Sequence, residues 1–222
     1  MPPKQSRAPA PGPGAPRTYR GLSASERSAQ RREALLRAGL ELFGTDGYAQ
    51  TSIRAVSAQA SLNSRYFYES FSSREDLLVD VYSEIIREVA TAVIDVTGGA
   101  QTIEQQAREG LRVAWTILTD DRRKAKVIAV EVVGVSDRLE RLRRSNRHAF
   151  AEILIRNSRL IHGDAAHSRL DPVLTARSLM GAVVETLVDW INGDVDASVE
   201  QIVEHFTRLF TIVAEAAIEP GR

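Results

Sequence analysis

The chain has 222 residues, 43% hydrophobic and 26% charged, with 29 basic and 29 acidic side chains and no cysteine. That length buries a sizeable core in one large domain or in a small one joined to a larger, and the lack of cysteine excludes disulfides, thiolate metal sites and thiol nucleophiles together. A formal net charge of zero argues against a general polyanion binder, although residues 1–80 hold 11 basic and 8 acidic side chains and so lean positive.

Residues 1–24 are rich in Pro, Gly and Ala, carry Lys4, Arg7, Arg17 and Arg20 and contain no acid, so they read as a disordered basic arm that is either inert or touches DNA. The start lacks the apolar stretch of a secretory signal. No apolar run reaches the roughly 18 residues of a membrane span, because Glu131 and Glu185 interrupt the best candidates. A cytoplasmic protein is expected.

From Ser25 the pattern turns helical, with Leu36, Gly39, Leu40 and Phe43 on one face, Leu35 and Leu42 beside them, and Ser23 or Ser25 as cap. Gly44 through Gly47 ends this helix. A short second helix runs from Ser52 to Gln59, capped by Thr51 or Ser52, with Ile53 and Val56 inward. Leu62 sits in the break that follows, and Asn63 caps a third short helix. The pairs Ser72 with Glu75 and Ser73 with Asp76 offer overlapping capping boxes to a long fourth helix that ends at Gly98-Gly99.

Further helices are expected at 102–119, 122–135, 137–162, 172–192 and 197–217, with the Val-rich stretch from Val127 to Val133 as the one competitor for a strand. The fold class is therefore all-α: a basic arm over 1–24, a three-helix unit over 25–72 and a larger helical domain over 73–222.

A helix, a tight turn and a second helix form the helix-turn-helix plan, in which the second helix enters the DNA major groove. The plan calls for a small residue in the second helix, here Ala55 or Ala58, and an apolar residue in the turn, here Leu62. Phe67 and Phe71 can then pack inward, leaving Arg65, Tyr66 and Tyr68 outward, where guanidinium and phenol groups donate to phosphates and base edges.

Several features occur in order over residues 31–78: Leu42-Phe43 closing the first helix, Gly47-Tyr48 before Thr51-Ser52-Ile53, Tyr68 three residues before Phe71, and Ser73-Arg74-Glu75-Asp76-Leu77-Leu78 opening the fourth helix. This segment resembles the DNA-binding domain of TetR-family (tetracycline-repressor-like) regulators. The resemblance implies a cytoplasmic homodimer, mostly repressors in that family, with a C-terminal helical domain that binds a small molecule and dimerises. It also implies DNA contacts from Thr51, Ser52, Arg54, Asn63, Ser64, Arg65, Tyr66 and Tyr68. Packing roles for Tyr66 and Tyr68, and a surface ion pair for Arg54, are the plainer alternatives. The chain departs from the family in having Ser61 where glycine is usual, Arg65-Tyr66 where a Gly-Thr pair is usual, and Ser72 where a lysine is frequent.

Beyond the fourth helix the reading rests on pattern. Leu174, Leu179, Val183, Leu187 and Ile191 form one apolar stripe; Ile202, Phe206, Leu209, Phe210 and Val213 form another. Two such helices from each subunit can make an intersubunit four-helix bundle, the alternative being burial within one subunit. A ligand pocket is expected among Trp115, Val127, Val130, Phe150, Leu154, Met180 and Val184, with Glu131 and Glu185 as polar handles, which would favour a lipophilic compound, either cationic or not; the alternatives are plain core packing for each apolar residue and a structural hydrogen bond or solvent exposure for the two acids.

Arg138, Arg141, Arg143, Arg144 and Arg147 read as a solvated helix face, with contact to an anionic ligand as the minority reading. His162, Asp164 and His167 share no common face, so no metal is expected. Nor is a cofactor, since no phosphate loop or catalytic triad pattern occurs. The expected function is a sequence-specific, ligand-responsive DNA-binding regulator. The alternatives are a regulator without a small-molecule ligand, a helical enzyme using His148 or Glu131, or a structural adaptor.

Overall fold

A computed structural model describes residues 23–99, 102–162 and 170–217, so nearly all of the expected basic arm lies outside the described residues. Helix α1 spans Ala24–Thr45 and starts on a full capping box: the Ser23 hydroxyl accepts from the Glu26 N–H at 3.1 Å, and the Ser23 N–H donates to the Glu26 carboxylate at 2.6 Å. Its buried face is Leu35, Leu36, Ala38, Gly39 and Phe43. A Cβ at Gly39 would come within 3.2 Å of Leu77 and Val81, so α1 lies tight on the fourth helix because this position has no side chain.

Helix α2 (Ile53–Gln59) is capped by Ser52, α3 (Ser64–Ser70) by Asn63, and α4 (Arg74–Thr97) by Ser73, each side-chain oxygen accepting a first-turn amide. The turn between α2 and α3 places Ser61 at φ 55°, in the left-handed region that disfavours any Cβ. Ser61→Gly is therefore expected to raise stability by about 0.5–1 kcal/mol, read as an upward shift of the thermal midpoint; a lowered midpoint would contradict strain at this turn.

Helix α5 (Ile103–Asp120) folds back on α4. It leads into α6 (Arg122–Lys126), which continues into a π-helical turn over Val127–Glu131. The Val-rich competitor for a strand is thus helical, and the helix expected to run to 135 stops at Glu131, before Gly134 turns the chain at φ 69°. Helix α7 (Asp137–His162) packs along α8 (Pro172–Asn192), and α9 (Val199–Ala217) packs along α5. Asp171 caps α8 with Pro172 in its first turn, and Gly193 ends it at φ 84°.

One apolar core runs from Leu35, Phe43, Val56 and Phe67 through Leu77 and Leu78 to Trp115, Leu139, Phe206 and Phe210. It does not break at residue 73. The cause is α4, whose first turns complete the three-helix unit while its later turns wall the larger domain.

Candidate nucleic-acid interface and cavity

Helix α3 has only seven residues, and its single fully buried side chain is Phe67, at 0% exposure, whose ring meets Phe71 at 5.6 Å. With Phe67 inward, Arg65 and Tyr68 face out, at 85% and 62% exposure, and Tyr66 is exposed beside them. The Arg31 guanidinium lies 4.6 Å from the Tyr66 ring centroid. The one carboxylate of α3, Glu69, is drawn toward Arg31 at 3.4 Å and Arg65 at 3.6 Å, so the face keeps little negative charge. Asn63 is exposed while its side chain caps the Arg65 N–H; Ser64 is half-buried; Ser52 and Arg54 are exposed on α2.

Two expectations fail here for packing reasons. Thr51 is 2% exposed and its hydroxyl donates to the Gly47 carbonyl at 2.8 Å, so this side chain braces the loop instead of facing DNA. The small residue buried in α2 is Ser57, whose hydroxyl is satisfied by the Ile53 carbonyl at 2.9 Å; Ala55 is half-buried and Ala58 exposed.

The loop before α2 is held from two sides. Arg74, in the first turn of α4, stacks 4.2 Å from the Tyr48 ring centroid and donates to the Thr51 carbonyl. From the other side, Glu131 in the π turn accepts the Tyr48 N–H at 2.6 Å, and a Cβ at Gly47 (φ 94°) would sit only 3.2 Å from the same carboxylate. Lys126 lies 3.6 Å from Glu131 and donates to the Thr45 carbonyl at 2.7 Å, while Arg123 bridges Asp121 to Glu41 of α1. Glu131 is therefore not a pocket handle. It is a junction residue, its side chain 13% exposed, bound to a loop 83 positions earlier in the chain. Nothing in the local sequence marks that pairing.

Between α4, α5, α7, α8 and α9 lies a cavity of about 480 Å³. Of the expected pocket residues it gathers Trp115, Phe150, Leu154, Met180 and Val184. It does not gather Val127, which is fully buried in the core, Val130, which is half-buried against it, Glu131, or Glu185, which is exposed on α8. Ile128, in the same π turn as Glu131, is part of the wall. The wider π turn, with its i→i+5 hydrogen bonds, spreads residues three apart around the axis, so one turn meets both the cavity and the Tyr48 loop. Among the described residues no carboxylate lines this cavity, whereas Arg143, Arg147 and Arg159 do. The cationic alternative for the ligand is corrected accordingly.

The apolar stripes expected at a dimer interface are largely used inside the subunit. Leu187, Ile202, Phe206 and Phe210 are buried in the core; Leu179, Val183 and Val213 line the cavity; Ile191 and Leu209 are half-buried against the core. The reason is that α9 turns its strongest apolar face to α5. What α8 leaves outward is a different strip: Leu174, Arg177, Ser178, Gly181, Ala182 and Glu185. Asp164 and His167 lie outside the described residues.

Among the described residues no helix is long and apolar enough to cross a membrane. Residues 35–81 match the family model for bacterial regulatory proteins of the tetR family. The fatty acid degradation regulator FadR from Bacillus halodurans is 16% identical, with a TM-score of 0.71 over 82% of this chain and 94% of that one. FadR from Bacillus subtilis, solved in complex with stearoyl-CoA, is 16% identical, with a TM-score of 0.72 over 82% and 98%. A TetR/AcrR-family regulator from Thermobifida fusca is 22% identical, with a TM-score of 0.61 over 82% and 96%. Identities this low establish the fold and no more. No curated protein matches the chain.

Proposed function

We propose that the protein is a TetR-family DNA-binding transcriptional regulator, as the match over residues 35–81 supports, and that it acts as a homodimeric, ligand-responsive repressor of a palindromic operator. The observation that carries the DNA-reading part is the solvent-facing Arg65, Tyr66 and Tyr68 on a helix locked from behind by Phe67. Ser52, Arg54, Asn63 and Ser64 flank that face and supply phosphate contacts that set the register. Two α3 helices, one from each subunit, enter successive major grooves, with half-sites about one helical turn apart or a multiple of it.

The outward strip of α8, from Leu174 to Glu185, is the proposed dimer face. Its small residues Ser178, Gly181 and Ala182 allow two α8 helices to approach closely, and nothing within the subunit stands within 4 Å of a Cβ at Gly181. Ile212 of α9 is also exposed.

The cavity is the proposed sensor. Helix α4 contributes Tyr82, Ile86, Val89 and Val93 to its wall and begins at Arg74, which grips the loop before α2. The π turn contributes Ile128 to the same wall and Glu131 to the same loop. A ligand that changes the spacing of these walls moves the two supports of the helix-turn-helix together. A coupling of about 1–3 kcal/mol is enough for a 5- to 150-fold change in operator affinity. The stearoyl-CoA held by the Bacillus subtilis FadR supports a ligand-binding reading of this cavity.

The test is to select binding sites from random DNA with the full chain and then titrate Arg65→Ala and Tyr68→Ala on the selected site. Each is expected to weaken specific binding by about 1–3 kcal/mol while thermal stability holds. Affinity unchanged by both substitutions would remove α3 as the reading helix.

A further inference from the structure

The charged lining of the cavity has a single sign. Arg143 and Arg147 sit one turn apart on α7, with Asn146 between them on the same face, at the seam where α7 meets Tyr82 of α4. Tyr82 is buried, and burial pushes its hydroxyl above the ordinary phenol range against the opposing pull of Asn146 and of the charges on Arg143 and Arg147. Glu140 accepts from one Arg143 amino group at 2.9 Å through both oxygens, leaving the other guanidinium nitrogens of Arg143 without a hydrogen-bond partner among the described residues. Arg147 makes no ion pair among the described residues, and it is exposed while lining the cavity, so the cavity reaches solvent there.

Most of the rest of the wall is apolar and long, with Asn157, Ser158 and Arg159 at the far end of its α7 side. Lining residues on α7 run from Arg143 to Arg159, about 24 Å of helix. The cavity of about 480 Å³ extends along that length. Ile86, Val89, Val93, Leu111 and Leu154 border this channel without a carboxylate to oppose an anion.

We propose that the cavity takes a long-chain amphiphilic anion, its carboxylate or phosphate bound at the α4–α7 seam by Arg147 and Arg143 with Asn146 and the Tyr82 hydroxyl, and its chain laid along α7 toward Thr97. This deepens the ligand-responsive reading above and rests on it. Charge-assisted bonds from guanidinium to an oxyanion fix the head; apolar burial of the chain supplies most of the affinity. A cation meets the Arg147 guanidinium, which has no carboxylate partner among the described residues, and is disfavoured. A free fatty acid and an acyl thioester of a phosphorylated carrier share the required chemistry.

Trp115 lines the channel, and one other tryptophan, Trp190, meets it at 6.1 Å, so intrinsic fluorescence reports occupancy without DNA. The full chain is titrated with palmitate, palmitoyl-CoA, hexadecanol and hexadecyltrimethylammonium below their micelle concentrations, in wild type and in Arg147→Gln and Arg143→Gln. One or both anions are expected to bind most tightly. Their affinity is expected to fall about tenfold in Arg147→Gln and with rising salt, while hexadecanol binding is the same in all three proteins. The better of the two anions identifies the source. Hexadecanol or the ammonium compound binding as tightly as the anions, or anion affinity indifferent to both substitutions, would overturn the anion site and leave a ligand-responsive cavity standing. No response to any of the four would overturn both.

Discussion

Phe67→Ala is expected to cost about 3–5 kcal/mol and to lower the thermal midpoint by roughly 6–20 °C, with loss of operator binding. The argument begins with length: a seven-residue helix does not persist in water alone, so α3 exists because one side of it is fastened. Phe67 is that fastening, fully buried with its ring tilted against Phe71 at a centroid distance of 5.6 Å. Removing its ring opens a cavity under the reading face and frees Arg65, Tyr66 and Tyr68 from a common orientation. Tyr68→Ala is the contrasting case. Its ring is exposed, so stability is expected to stay within about 0.5 kcal/mol while operator affinity still falls. A Phe67→Ala protein that melts like wild type and holds the operator would show that α3 is anchored by something else.

Glu131→Ala is expected to loosen the loop before α2 and to disconnect it from the cavity. The Tyr48 N–H loses its acceptor, which costs about 1–3 kcal/mol when the group is left unsatisfied, and Lys126 loses its carboxylate neighbour. Amide exchange over residues 47–50 is the direct readout, expected to accelerate roughly 5- to 150-fold. Operator affinity should fall with it. Glu131→Gln keeps an oxygen that can accept from Tyr48 and is expected to restore most of the protection while losing the attraction to Lys126. Exchange at 47–50 unchanged in the alanine variant would show that Arg74 alone holds the loop, and the π turn would then have no part in the coupling.

The two substitutions bear on features of opposite legibility. The anchoring of α3 could be read from the chain because it follows from helical spacing: Phe67 and Phe71 are four apart, so Arg65 and Tyr68 must point elsewhere. The caps were readable for the same local reason. Ser52, Asn63 and Ser73 each bond an amide two or three residues away, and no distant part of the molecule enters into it. Ser61 is instructive, since the usual glycine is missing from a turn that still adopts the left-handed conformation. Local strain there is overridden by the packing of α2 on α3.

Glu131 could not be placed in this way. Its apolar neighbours suggested a polar group facing a ligand, but its partner is an amide in another unit of the fold, and only the crossing of α6 over the end of α1 brings the two together. Thr51 departs from its expected exposure for a similar reason: a polar residue beside a helix start looks exposed until the loop around it closes. The stripes on α8 and α9 were seen correctly as apolar, yet a stripe carries no information about which surface will cover it. On α9 that surface is α5 of the same subunit. Likewise the arginine-rich start of α7 reads as a solvated face until α4 stands opposite Arg143 and Arg147 and turns them into part of a wall.

The amino-acid order by itself determined the helices, their ends and which residues of the short third helix face out, since backbone hydrogen bonding and side-chain periodicity act within a turn or two. Tertiary structure alone decided which apolar stripe meets which partner, which charges line the cavity and how the turn that walls the cavity also holds the loop before α2. Those depend on long-range contacts selected by the shape of the whole core, where many pairings have similar local merit and only their joint packing chooses among them.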